Sequence, residues 1–150
     1  MPAVIRLAIP ADADAIVAVF CGSKRPLMPW LEGHHEPVKL RSYVTDVLLQ
    51  TDTVWVAVIA TRIVGYAALQ DGILEQLFVA AAFQGQGIGS QLLDVAKRAA
   101  GDRLSLYVFA RNEAGRRFYE RHGFAPSGVV DDEGEPDLSY EWRTSAPVPA

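Results

Sequence analysis

Apolar and polar positions recur with readable periods along most of the chain. Val4–Ile9 reads as a first strand, and Pro10-Ala11-Asp12 as a turn that caps a helix from about Ala13 to Phe20, with Ile16, Val17 and Phe20 on one side. A second helical pattern covers Val38–Leu49, its apolar stripe made by Leu40, Tyr43, Val44, Val47 and Leu48. Between them, Gly22–Pro37 contains three prolines and two glycines, which predict an irregular segment, yet its Leu27, Met28, Trp30 and Leu31 predict that it folds back over something. Thr53–Ala60 and Ile63–Gln70 alternate as strands separated by Thr61-Arg62, the spacing of a hairpin, and Asp71-Gly72 turns the chain into a further strand, Ile73–Val79. The order to this point is β-α-α-β-β-β.

The second half continues the alternation of elements. Ile88, Leu92, Leu93, Ala96 and Ala99 recur at helical spacing from Gly87 to about Ala100, and Gly101-Asp102 stops the run. Leu104–Phe109 is a strand, and Asn112 caps a helix over Glu113–His122 with Ala114, Phe118 and Tyr119 on one face, ended by Gly123. Phe124–Val130 and Leu138–Arg143 are the last strands, joined by the acidic turn Asp131–Asp137. Thr144–Ala150 reads as a frayed tail. A chain of 150 residues suits one cooperative core, here residues 1–143, and is short for two.

Charge refines this picture more than composition does. The formal net charge is −4, but Lys and Arg against Asp and Glu count 6 to 8 over residues 1–83, 7 to 4 over 84–123 and 1 to 6 over 124–150. The only net basic stretch is thus the middle one. A nucleic-acid surface would carry a larger excess and a supporting motif, whereas a modest basic field suits a compact anion such as a nucleotide phosphate. Cys21 is the single cysteine, which excludes an intrachain disulfide and reads as a small buried hydrophobe. No basic leader followed by an apolar run opens the chain, and no apolar run approaches about 18 residues, so a cytoplasmic location without membrane association is expected. His34, His35 and His122 show none of the spacings of a zinc site, and no metal is expected.

The most informative stretch joins Leu77-Phe78-Val79 to Gly85, Gly87 and Gly89 at the mouth of the 87–100 helix. Glycines there allow left-handed torsions and close approach of a ligand to the backbone, and the first amides of the helix point outward with its positive dipole end. Such a mouth attracts phosphate or pyrophosphate. A P-loop is excluded because Gly89 is followed by Ser90-Gln91 rather than by Lys and a hydroxyl residue, and a dinucleotide fingerprint because the glycines stand two apart after antiparallel strands. The competing reading is that three glycines merely end one element and begin another.

Gln84-Gly85-Gln86-Gly87-Ile88-Gly89 resembles the coenzyme A pyrophosphate loop of the GCN5-related N-acetyltransferase (GNAT) family. Asn112-Glu113-Ala114-Gly115-Arg116-Arg117-Phe118-Tyr119-Glu120-Arg121-His122-Gly123-Phe124 resembles its second signature, an Asn, an aromatic-Tyr pair and a Gly-Phe that opens a strand. The resemblance is strong over Glu75–Phe124, holds in element order over Ile5–Arg143 and is absent in detail from Gly22–Pro37. Gly115 departs from the Ala more usual there, a change that loosens the helix by about 1 kcal/mol by propensity and leaves room beside the cofactor.

The resemblance implies a single α/β (α+β) domain with a mixed, mostly antiparallel, splayed sheet flanked by helices. It implies that the pantetheine arm of acetyl-coenzyme A enters between Ile73–Val79 and Leu104–Phe109, bonded by the backbone of Leu77, Phe78 and Val79 as in strand addition. The amides of Gln84, Gly85, Gln86, Gly87, Ile88 and Gly89 would hold the pyrophosphate with Ser90 in reach. Asn112 would lie near the arm, act as a plain helix cap, or do both. Tyr119 would donate to, or orient, the sulfur of the leaving thiolate, against a reading as a core aromatic beside Phe118. Glu75 would accept the proton of the attacking amine, against a reading as a solvated strand-end carboxylate, with Asp71 a weaker substitute. The acceptor side would draw on Met28, Trp30, Leu31, His34, Tyr43 and Tyr140, although simple packing of a long loop is the readier account of Met28 and Trp30. The activity implied is direct transfer of an acetyl group to a primary amine of a small molecule or peptide, without metal or covalent acyl-enzyme. A homodimer, a non-catalytic acyl-coenzyme A sensor and a protein-interaction domain stand as other readings.

Overall fold

The β-branched and aromatic runs from residue 53 to residue 79 become the middle of a seven-stranded sheet. In the computed structural model, which describes residues 3–27, 37–132 and 135–144, the strands are β1 (Val4–Leu7), β2 (Thr53–Ile59), β3 (Arg62–Gln70), β4 (Ile73–Val79), β5 (Arg103–Phe109), β6 (Ala125–Asp132) and β7 (Glu135–Arg143). Their spatial order is β1-β2-β3-β4-β5-β7-β6. Every neighbouring pair is antiparallel except β4 and β5.

Helices cover both faces, which is why β2 and β3 are buried on both. Along β2, Trp55 and Ala57 face α4 (Ile88–Ala100) through Ile88, Leu92, Leu93 and Ala96, whereas Val54 and Val56 face α1 (Ala13–Leu27) through Ile16 and Val19. The strand period of two thus divides one apolar run between two cores. Gly65 on β3 packs closely beneath Leu92 and Ile88 of α4. A Cβ built there would stand 3.1 Å from the Phe78 carbonyl oxygen and 3.2 Å from Leu92 Cδ1. Gly65→Ala should therefore overpack this contact and lower stability by about 1–3 kcal/mol, read as an earlier urea midpoint with unchanged slope.

Local chemistry explains the connections, and some expectations shift. The β2–β3 turn is Ala60-Thr61, one residue earlier than expected, because Ile59 pairs with Arg62, and Ala60 takes the left-handed φ of 56° that the tight turn requires. Asp71 and Gly72, at φ 51° and 76°, match the preference of a two-residue hairpin for positive φ at both central positions. Helix α1 continues past the expected end at Phe20, through Gly22 to Leu27, since Phe20 still has Phe78 to pack on edge to face at 5.2 Å. The second helical segment is α2 (Pro37–Tyr43), a π-type turn (Val44–Leu48) and a last turn, α3 (Leu49–Thr51). The Leu49 N–H bonds to Val44 O across five residues. This wider turn keeps Val44 and Leu48 buried and leaves Tyr43 and Val47 exposed, which breaks the expected stripe. The acidic turn expected over 131–137 is largely strand, with Asp131 paired to Pro136 and Asp132 to Glu135.

Helix α5 (Glu113–Arg121) starts at Asn112, whose Oδ1 accepts the Gly115 N–H at 3.1 Å. A Cβ on Gly115 would stand 2.6 Å from Asn112 Nδ2. The absent methyl thus makes room for the capping side chain. Met28, Trp30, Leu31 and His34, expected on the acceptor side, lie outside the described residues, as does the tail beyond Thr144. Among the described residues no helix is long and apolar enough to cross a membrane.

Candidate active site

The parallel pairing of β4 with β5 covers two register positions only, Ile73 with Ser105 and Leu74 with Leu106. Beyond Glu75 and Tyr107 the strands part, and a cleft of about 760 Å³ opens between them. It runs from Leu74, Glu75 and Gln76 past Leu77, Phe78 and Val79 to Gly85, Gly87, Gly89 and Ser90, with Tyr107, Phe109, Asn112, Phe118 and Tyr119 opposite.

At the glycine end, Gly85 and Gly87 have φ of 80° and 84°, and a Cβ on either would meet no atom within 4 Å. Their torsions need glycine, and their outer side is open. Gly87 is the N-cap of α4, no side chain among the described residues caps the helix, and its ladder begins with Gln91 N–H donating to Gly87 O at 3.0 Å. The amides of Ile88, Gly89 and Ser90 precede that bond and lie at the positive end of the helix. Gly89 serves a different purpose. It lies within α4, and its position is filled by the Phe118 ring, 3.4 Å from where a Cβ would be. An unpaired helix mouth that opens into a cleft between parted strands fits a pyrophosphate joined to an extended arm.

The expected residues divide between the cleft and its walls. Leu77, Phe78, Val79, Gln84, Gly85, Gly87, Gly89, Ser90, Asn112, Tyr119 and Glu75 line the cleft. Gln84 Nε2 donates to the Val79 carbonyl at 2.9 Å, so its side chain closes the end of β4. Ile88 is buried in the core beneath β3, and Gln86 is not among the lining residues, which leaves each only a main-chain part in any anion contact. Tyr140, expected on the acceptor side, is fully buried away from the cleft. Its hydroxyl donates to Glu120 Oε2 at 2.7 Å and accepts from Arg116 Nε at 3.3 Å, because the inward face of β7 docks α5. Tyr43, also expected there, is not among the residues that line the cleft, but it lies in the field of Asp52 and Glu75. Its pKa is raised by burial first and then by those carboxylates, against a lowering hydrogen bond from Gln76. Arg121 and His122 line the cleft although neither was singled out from the sequence. The signal was available only in part, since helical spacing places them at the end of α5 but not against α4.

Burial sets the protonation states. The phenol of Tyr119 is pushed well above the ordinary tyrosine range by burial alone, and it makes no hydrogen bond among the described residues. It stays protonated at neutral pH, and Tyr119 forms part of the cleft wall. The Glu75 carboxyl is raised by partial burial first and then by the nearby Asp52 carboxylate. Among the described residues no group of three or more His, Cys, Asp and Glu side chains is placed to hold a metal ion.

Residues 50–126, half of the chain, match the model of the acetyltransferase (GNAT) domain. The chain belongs to the GNAT family. This GNAT protein is 26% identical over 89% of its length to YwnH of Bacillus subtilis, a candidate phosphinothricin acetyltransferase, of which the match covers 90%. Its fold superposes on the apo form of YjaB from Escherichia coli with a TM-score of 0.78 at 28% identity, covering 95% of this chain and 98% of that one. It also superposes on the PaiA N-acetyltransferase from Thermoplasma acidophilum in complex with coenzyme A, with a TM-score of 0.72 at 21% identity, covering 95% and 99%. The expected fold, one α+β domain with a mixed sheet flanked by helices, is borne out. As a GNAT protein it is an acetyl-coenzyme A-dependent N-acetyltransferase.

Proposed function

We propose that this enzyme passes the acetyl group of acetyl-coenzyme A directly to a neutral primary amine of a small molecule or peptide, with Glu75 as proton acceptor and Tyr119 as hydrogen-bond donor to the leaving sulfur. The observation that carries the reading is the continuity of one cleft from the open glycines of the α4 mouth to the parted strands, with Glu75 and Tyr119 both on its walls. Acetyl-coenzyme A supplies an activated thioester. The amides of Ile88, Gly89 and Ser90, with the open backbone of Gly85 and Gly87, hold the pyrophosphate. The free edge of β4 at Leu77–Val79 orients the arm by strand addition.

A primary amine has a reference pKa near 10.4, so at neutral pH a base must take its proton before attack. Glu75 lines the cleft at the point where β4 leaves β5, and its raised pKa makes it a better base than an ordinary glutamate. Cys21 packs against the core cluster on the α1 side of the sheet and does not line the cleft, which supports direct transfer over an acyl-cysteine.

Thiol release from acetyl-coenzyme A, measured across a panel of small amines and peptides, tests the reading. Phosphinothricin belongs in the panel because the Bacillus subtilis relative is named for it. Release with at least one amine is expected. Coenzyme A binding without release from any amine would favour the sensor, and absence of binding would overturn the reading.

A further inference from the structure

His122, at the C-terminal end of α5, has both ring nitrogens engaged. Nδ1 lies 2.7 Å from the Phe118 carbonyl oxygen. A carbonyl can only accept, so Nδ1 carries a hydrogen and the neutral ring offers a lone pair at Nε2. Nε2 stands 2.8 Å from Ser90 Oγ, so the one hydroxyl hydrogen of Ser90 points at the imidazole. Ser90 is in the first turn of α4, and both side chains line the cleft. With the ring neutral, Ser90 turns only lone pairs to the helix mouth, the wrong polarity toward an anion.

We propose that His122 is a positioning residue that links a proton to occupation of the pyrophosphate site. When the anion binds, Nε2 takes one proton from solvent, and the new N–H donates to Ser90 Oγ. The Ser90 hydroxyl is then freed to donate to a phosphate oxygen, and the imidazolium adds one positive charge behind it. Such charge-assisted bonds are stronger than their neutral counterparts. The ring is held for this role by Phe118, whose aromatic ring lies 4.5 Å from it, and by Lys97, whose Nζ donates to the His122 carbonyl at 2.7 Å.

Among the described residues, the charged and titratable groups around this part of the cleft come from several elements, and Asp137 of β7 lines the same cleft. From α4 come Lys97 and, beside it, Asp94. From α5 come Tyr119, with its phenol protonated, Glu120, bonded to Tyr140, and Arg121 on the same cleft. β7 presents the indole of Trp142 to Lys97 at 4.9 Å. The anion offsets Lys97 and Arg121, so a further positive charge on the ring is favoured when the site is filled.

The inference rests on the coenzyme A reading, and its test separates the two. The probe is S-acetylated dephospho-coenzyme A, which lacks both the thiol and the 3′-phosphate, whose own ionisation near pH 6 would interfere. Calorimetry in buffers of different ionisation enthalpy should show proton uptake on binding. Affinity should be about tenfold higher at pH 6 than at pH 8, the direction that linkage requires when the complex holds more protons than the free partners. S-acetylpantetheine, without a pyrophosphate, should show no uptake, and His122→Gln should bind the probe with neither uptake nor pH dependence. Should that variant not fold, the His122 ring resonance of the wild-type protein replaces it, and its titration midpoint should rise on binding. Binding of the probe without proton uptake, or equal uptake in His122→Gln, overturns the inference and leaves the coenzyme A reading intact. Failure to bind at any pH removes both.

Discussion

Replacing Tyr119 by Phe is expected to lower kcat by about 10²-fold while the affinity for coenzyme A changes by less than about twofold. The substitution removes one oxygen from a wall of the cleft and leaves the ring, which packs edge to face on Phe118 at 5.2 Å and on Phe124 at 5.6 Å. Stability should change little, because the hydroxyl has no partner among the described residues and its deletion leaves none unpaired. What is lost is a donor to negative charge that develops on sulfur late in the reaction, a contribution specific to the transition state. Because burial raises the phenol pKa, the hydroxyl keeps its proton through the range in which an ordinary tyrosine ionises, and the rate should show no alkaline limb near pH 10. Pre-steady-state thiol release in the variant at the wild-type rate would leave Tyr119 as packing alone.

Replacing Glu75 by Gln should lower kcat/KM for the amine by about 10²–10³-fold and abolish the acid limb of the pH profile. A base works ionised, and its raised pKa places that limb above the ordinary glutamate value near 4.3, with activity lost as pH falls through it. Linkage has the opposite sign for stability. A carboxyl raised in the folded state binds its proton more tightly there than in the unfolded chain, so its contribution is largest at low pH and declines as pH rises through the folded-state value. At neutral pH the Gln variant should therefore be at least as stable as the wild type, and a rate loss would not reflect unfolding. A thermal melt beside the pH profile checks both, and an unchanged acid limb would return Glu75 to a solvated strand-end carboxylate.

These predictions depend on cleft neighbours whose legibility varied. Gly85 and Gly87 were readable because left-handed torsion is a local demand, confirmed by their positive φ. Gly89 belongs to the same motif for another reason, since it admits Phe118 from α5, and no local rule distinguishes it from the other two. Tyr140 shows the reverse problem. The resemblance implied that it helps line the acceptor side, but the β5–β7 pairing turns it inward, where Arg116 and Glu120 occupy its hydroxyl. In the second helical segment, the π-type turn moved Val47 out of a stripe that an ideal period assigns to the core.

By itself the chain's pattern determined the element order, the strand-to-helix glycine turn and the Asn112 cap, which follow from torsional preference and periodicity over a few neighbouring residues, while the GNAT likeness rested on the resemblance of two motifs to that family. The tertiary structure alone decided where β4 parts from β5, that Gln84 closes the end of β4, that the Tyr119 phenol is desolvated without a hydrogen bond among the described residues, and that Ser90 meets His122 across thirty-two positions. Those features arise where separate elements touch. Their energies depend on desolvation and hydrogen-bond geometry between residues far apart in the chain, which no local period encodes.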